Sequence, residues 1–91
     1  MIFPPLEQLA PGVTGYTREW NDSLYIPYIR ADREGNGDVG RYLDSLPTDR
    51  RVVVPCVISK RLEGMLKRRG FTPAWEWSEY MGEHVEIWER S

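Results

Sequence analysis

The run Val52-Val53-Val54-Pro55-Cys56-Val57 holds no charged or hydrogen-bonding polar side chain in six positions. A strand with one wet face alternates apolar and polar residues. A run without alternation belongs to a strand covered on both faces, the pattern of a buried parallel strand. Parallel neighbours cannot be joined by a tight turn and need a crossover, usually a helix. The preceding residues supply one. Val39, Tyr42, Leu43 and Leu46 fall on one helical face, Pro47 ends that helix, and Leu24 to Ala31 reads as the strand before it. The result is a strand-helix-strand crossover with Val52–Val57 parallel to Leu24–Ala31.

The remaining elements follow from turn chemistry and periodicity. Val13 to Trp20 forms a strand that turns at Asn21-Asp22-Ser23 into Leu24–Ala31, a hairpin. In regular alternation Leu24, Ile26 and Tyr28 face one way and Tyr25 and Ile29 the other, so this strand is expected to be central. Asp38 is placed to cap the first helix. Ser59 caps a second, whose stripe is Ile58, Leu62, Met65 and Leu66, with Glu63 and Lys67 an i,i+4 pair and Gly70 its stop. Phe71, Pro73, Trp75 and Trp77 alternate. After a turn at Met81-Gly82, Val85 and Ile87 oppose His84, Glu86 and Trp88, which makes a C-terminal antiparallel hairpin. Residues 1–12, with three prolines and the apolar Ile2, Phe3, Leu6 and Leu9, read as an arm. Residues 13–91 read as one α/β domain with a mixed α+β sheet.

A chain of 91 residues builds one thin core. No apolar run reaches the ~20 residues that cross a bilayer, and Met1-Ile2-Phe3-Pro4-Pro5 does not read as a signal peptide, so a cytoplasmic location away from membranes is expected. Cys56 is the single cysteine and His84 the single histidine. That excludes a disulfide framework and a classical zinc site, and no metal is expected. A net charge of −2 argues against a whole-chain polyanion binder.

Chemistry is concentrated in Gly35-Asn36-Gly37-Asp38-Val39-Gly40-Arg41, between a strand and a helix. Glycines there let backbone amides turn toward an anion, and a tight turn with positive φ uses the same residues. Cys56, in an apolar strand without a neighbouring base, reads as a structural thiol, and His84 as a residue of a strand surface. Arg50-Arg51, Lys60-Arg61 and Lys67-Arg68-Arg69 are interspersed with carboxylates, as on a solvated face. Trp75, Trp77 and Trp88 suit a thin core or a subunit contact better than base stacking.

The order strand, Gly-rich turn, helix, apolar strand, helix ending in Arg69-Gly70-Phe71, and final hairpin resembles the GNAT superfamily of acyl-CoA-dependent N-acetyltransferases, over roughly Leu24 to Trp88. Arg33 to Arg41 stands where that family's Arg/Gln-x-x-Gly-x-Gly/Ala loop presents amides to the coenzyme A pyrophosphate, with the spacing stretched to Gly37-x-x-Gly40. The segment Ser59 to Phe71 is similar to the family's later, Asn-led helix. The family splays its two parallel strands to admit the pantetheine arm. Pro27 and Pro55, each lacking an amide donor, weaken the ladder at that place. The resemblance covers the coenzyme-binding half and not the family's first strand and two early helices.

The resemblance implies acetyl-CoA or a related acyl-CoA as ligand. Amides of Gly37, Asp38, Val39, Gly40 and Arg41, with Ser59, would meet the pyrophosphate, and backbone groups of Ile29 and Ala31 would meet the pantetheine. Asp38 would set a carboxylate beside the anion. Ser59 and Leu66 stand at the family's Asn and acid Tyr, so no catalytic residue is assigned. Three functions stay open: a minimal acyl-CoA-binding protein that transfers an acetyl group to an amine, a catalytically inactive GNAT-derived binding or assembly protein, and, behind both, a nucleic-acid-associated protein using the arginine clusters. Helices enough for one sheet face imply a homodimer or a protein partner over the other, near Trp75, Trp77 or Trp88.

Overall fold

The fold is seen in a computed structural model that describes residues 5–55, 57, 59–79 and 81–91. Along the chain it contains β1 (Glu7–Ala10), β2 (Val13–Trp20), β3 (Ser23–Ala31), α1 (Asp38–Asp44), β4 (Val52–Pro55), α2 (Lys60–Arg68), β5 (Thr72–Ser78) and β6 (Glu83–Arg90). The six strands form one mixed sheet in the order β1-β2-β3-β4-β6-β5. β3 and β4 are parallel, as the crossover requires, and every other neighbouring pair is antiparallel. This is an α+β fold. Ile2, Phe3, Cys56 and Ile58 lie outside the described residues.

Part of the segment expected to be an arm is a strand. Glu7–Ala10 pairs antiparallel with β2 and adds an edge to the sheet. The cause is Pro11-Gly12: Gly12 takes φ +78, which an L side chain resists, and the chain reverses there. The next hairpin turns on Asn21 and Asp22, both at positive φ, a two-residue turn whose twist matches its strands.

The even alternation expected along β3 breaks at Pro27. Tyr16 pairs with Tyr28 and Arg18 with Tyr25, so Ile26 and Pro27 together stand opposite Thr17 in a β-bulge. Pro27 has no N–H to give the ladder, and a bulge is one of the few places in a sheet where that costs little. The inserted residue swaps faces. Leu24 and Ile26 are buried in the core, Ile29 packs against the same core, and Tyr28 is 41% exposed.

Both helices cover one face. Val39 and Leu43 of α1 and Leu66 of α2 join Val13, Leu24, Ile26, Val52, Val54 and Trp88 in a single cluster, with Leu62 and Met65 packed against it. The α2 stop is complete: Phe71 N–H donates to the Leu66 carbonyl and Gly70 N–H to that of Lys67, with Gly70 at φ +84. Phe71 and Leu66 are both buried at this seal. Of the three tryptophans read as core or subunit contact, Trp88 is core, 3% exposed with the Lys67 ammonium over its ring. No described helix is long and apolar enough to cross a membrane.

Candidate functional site

The parallel ladder is short. Among the described residues only Leu24 with Val52 and Tyr25 with Val53 are paired, although β3 runs on to Ala31 and β4 to Pro55. Beyond Tyr25 no further pair is formed among the described residues, and Pro27 and Pro55 supply no donors there. The carboxyl ends of neighbouring parallel strands, each followed by a helix, are where open α/β sheets hold ligands.

A crevice of about 250 Å³ lies there on the helix-covered face. Ile29 and Ala31 of β3, Gly37 to Gly40 at the start of α1, Ser59 before α2, and Leu62 and Met65 on α2 all line it, save that Asn36 and Arg41 do not. Seven of the eight residues singled out from the sequence thus meet in one cavity. Arg41 stands outside, exposed, with its guanidinium on the Asp38 carboxylate. Arg30, Arg33, Arg61 and Glu34 also line the crevice. Three arginines thus line it against two carboxylates, with Arg61 4.0 Å from Glu34, a balance that leans toward an anion.

The two helix starts differ. Ser59 caps α2 by accepting the Leu62 N–H at 3.3 Å, as expected. Asp38 does not cap α1. The N-cap is Gly37, at φ +73, and no side chain accepts from the first-turn amides. Asp38 has moved one position into the helix, where it is 15% exposed, bound by Arg41, and seated where a Cβ on Gly12 would stand. Its charge is therefore largely neutralised by Arg41 and turned from the solvent. The preceding loop is tied down by the Asp32 N–H donating to the Gly12 carbonyl at 2.8 Å and by the Thr14 hydroxyl donating to Asp32.

Gly40 has a packing role beside any role toward a ligand. A Cβ there would come within 2.9 Å of the Arg69 guanidinium, which donates to Asp44 at 2.8 Å and to the Met65 carbonyl at 2.9 Å. Substituting Gly40 therefore disturbs the contact between the helices as well as the crevice. The basic groups are mostly engaged: Arg50 with Glu19, Arg51 with Glu76 and Glu89, Lys67 with Glu63, and Arg69 with Asp44. His84 lies exposed on β6 with its ring against the edge of Trp77.

The opposite face carries a second depression beside the same seam, about 350 Å³. Pro27 and Pro55 line it with Trp20, Tyr25, Glu76 and Trp77. The Tyr25 hydroxyl donates to the Glu76 carboxylate at 3.1 and 3.2 Å, and Arg51 reaches both. Burial, with the neighbouring Glu76 and despite Arg51, raises the Tyr25 phenol above its usual value. The Glu89 carboxylate holds the Arg51 guanidinium firmly charged. Sequence reasoning missed this cluster because Tyr25 on β3, Arg51 just before β4 and Glu76 on β5 are brought together only by the sheet order. It also missed Arg30, and took Leu62 and Met65 for core alone. Among the described residues, no group of three or more His, Cys, Asp or Glu is placed to hold a metal ion.

Comparison of the chain with protein-family models, with curated proteins and with solved structures returned no match.

Proposed function

We propose that this protein binds an acyl-CoA thioester in the crevice at the open seam and is a minimal relative of the GNAT acyltransferases. The observation that carries this reading is the convergence at one place of three features: a parallel pair with two ladder pairs among the described residues, the start of both helices, and three arginines against two carboxylates. A ladder that lapses leaves backbone amides and carbonyls unpaired, which an amide-containing arm such as pantetheine can satisfy in its place. The uncapped amides of α1 and the arginines suit a pyrophosphate. Acetyl transfer to an amine is the activity that follows.

Titration calorimetry with acetyl-CoA tests the proposal. Saturable one-to-one heat, lost when coenzyme A is replaced by free pantetheine, supports it. No heat at millimolar ligand overturns it.

A second reading, an inactive binding or assembly protein, has its own observation. β5 is an edge strand paired only with β6, and Trp75 on it is 69% exposed. Such an edge is a surface for a protein partner or a second copy. The two readings separate on the same titration, followed by sedimentation: a dimer that binds no acetyl-CoA belongs to the second. The third, nucleic acid, loses ground because six of the twelve basic side chains already face carboxylates.

A further inference from the structure

The two edges of the sheet are not alike. β1 has four residues and a register shift between Gln8 and Ala10, so it is short and kinked, as protected edges are. β5 has seven residues, all paired in unbroken register with β6, and no described strand lies on its other side. Pro73 withholds one donor near its start. From Ala74 to Ser78 the strand carries no proline, no bulge and no lysine, the devices that keep a free edge from pairing. Its one charge, Glu76, is drawn toward Tyr25 and Arg51. At ~3.3 Å per residue this regular edge is about 23 Å long.

Large apolar side chains stand along it. Trp75 and Trp77 on β5 are 69% and 54% exposed, and Met81 at the turn is 55% exposed. Across the hairpin Trp75 is paired with Glu86 and Trp77 with His84, so these four side chains share one face. Charge narrows what can lie there. From Phe71 to Glu89 the sequence has five glutamates and no lysine or arginine. Arg51 matches Glu76 and Glu89, whereas Glu79, Glu83 and Glu86 are exposed and in no ion pair among the described residues. A second copy paired edge to edge would bring two such hairpins together and oppose like charges. A cationic strand meets no such cost. An arginine over the Trp75 ring gains a cation–π contact with the Glu86 carboxylate beside it, and its planar fork suits both.

We infer that β5 is a strand-addition edge for an extended segment of another protein that carries arginine at alternate positions. Backbone groups of the segment continue the ladder, and side chains two residues apart fall on one face, so successive arginines meet Trp75 and Trp77. Glu79 at the turn and Glu83 at the start of β6 extend the negative field that draws the segment in. The inference rests on the second reading above, in which this edge makes a protein contact, and is independent of the thioester.

The test uses the full chain and an end-blocked heptapeptide of alternating arginine and valine, labelled with fluorescein and followed by anisotropy. Saturable one-to-one binding is expected, weakening severalfold as salt rises from ~50 to ~200 mM. Trp75→Ala and Glu86→Gln, both at exposed positions, are each expected to weaken it at least threefold with the circular dichroism spectrum unchanged. The same peptide with every backbone amide methylated keeps its charges but cannot donate to a ladder, and is expected to bind at least tenfold more weakly. Equal binding of the methylated peptide would mean surface attraction alone and overturns the inference. Equal binding of a glutamate and valine peptide, or indifference to Trp75→Ala, also overturns it. Sedimentation of the chain alone separates the remaining cases. A dimer that excludes the peptide overturns the choice of occupant in favour of a second copy, whereas a monomer that binds neither peptide overturns the contact-edge reading itself.

Discussion

Gly15 stands on β2 opposite Ile29, one residue from the pair Tyr16 and Tyr28 at which the β3 bulge begins. It is buried, and a Cβ added to it would overlap the Tyr28 carbonyl and come within 3.1 Å of the Ile29 Cα. Those are backbone atoms of the neighbouring strand, which cannot swing aside. Gly15→Ala should therefore force β2 from β3. Overpacking of this kind costs ~1–3 kcal/mol, and each ladder hydrogen bond stretched or lost adds about 1 kcal/mol. The gain of ~0.4–1 kcal/mol from a stiffer unfolded chain does not offset that. A net loss of about 2–3 kcal/mol lowers Tm by roughly 10–20 °C in a domain of this size. Thermal unfolding followed by circular dichroism measures it. Gly35→Ala is the control: nothing lies within 4 Å of its Cβ, and only its φ of +88 opposes the change, at about 1 kcal/mol. Gly15→Ala as mild as Gly35→Ala, or stabilising, would refute the close approach and with it the bulge register. The bulge turns Ile29 into the crevice, so that outcome would reach the site as well.

Leu66→Ala empties a fully buried position at the α2 seal and should cost about 3–4 kcal/mol in urea denaturation; an unchanged midpoint would contradict its place in the core. Asp38→Asn frees Arg41 from its partner and removes a negative charge beside the crevice, so acetyl-CoA affinity by calorimetry should rise about two- to fivefold, while Tm falls slightly because a first-turn carboxylate is lost. The Tyr42 phenol is raised from 10.0 by burial, and Tyr25 is raised too, chiefly by burial. The folded chain then keeps protons that the unfolded chain gives up, so this contribution is full below pH 10 and is lost as pH rises above it. Urea midpoints should fall between pH 9 and 11, and less so in Tyr42→Phe.

Much of the local structure was legible in the residues alone. Asn-Asp and Gly70 announce a turn and a helix stop because few residues tolerate their dihedrals, and the stripe Leu62, Met65 and Leu66 announces which side of α2 meets the sheet. The unbroken apolar run announces a covered strand, and with it the crossover that makes β3 and β4 parallel. Two prolines suggested a weak seam between those strands, and the glycine loop suggested where an anion would lie, because backbone chemistry belongs to the residue itself. Facing was different. One extra residue at Pro27 reverses the side on which Ile29 and Tyr28 stand, and whether a proline takes an edge or a bulge depends on the register of the neighbouring strand. Asp38 looked like a cap until Gly12, far along the chain, offered its carboxylate a seat and Arg41 a charge to match. The Tyr25, Arg51 and Glu76 cluster has no local signature, because its members lie 25 or more residues apart. The amino-acid sequence by itself determined the elements from β2 onward and their turns, since those follow from short-range sterics and periodicity, while β1 needed its partner strand to declare itself. The tertiary structure decided which side chains share a site, since that depends on sheet order and a register shift of one residue.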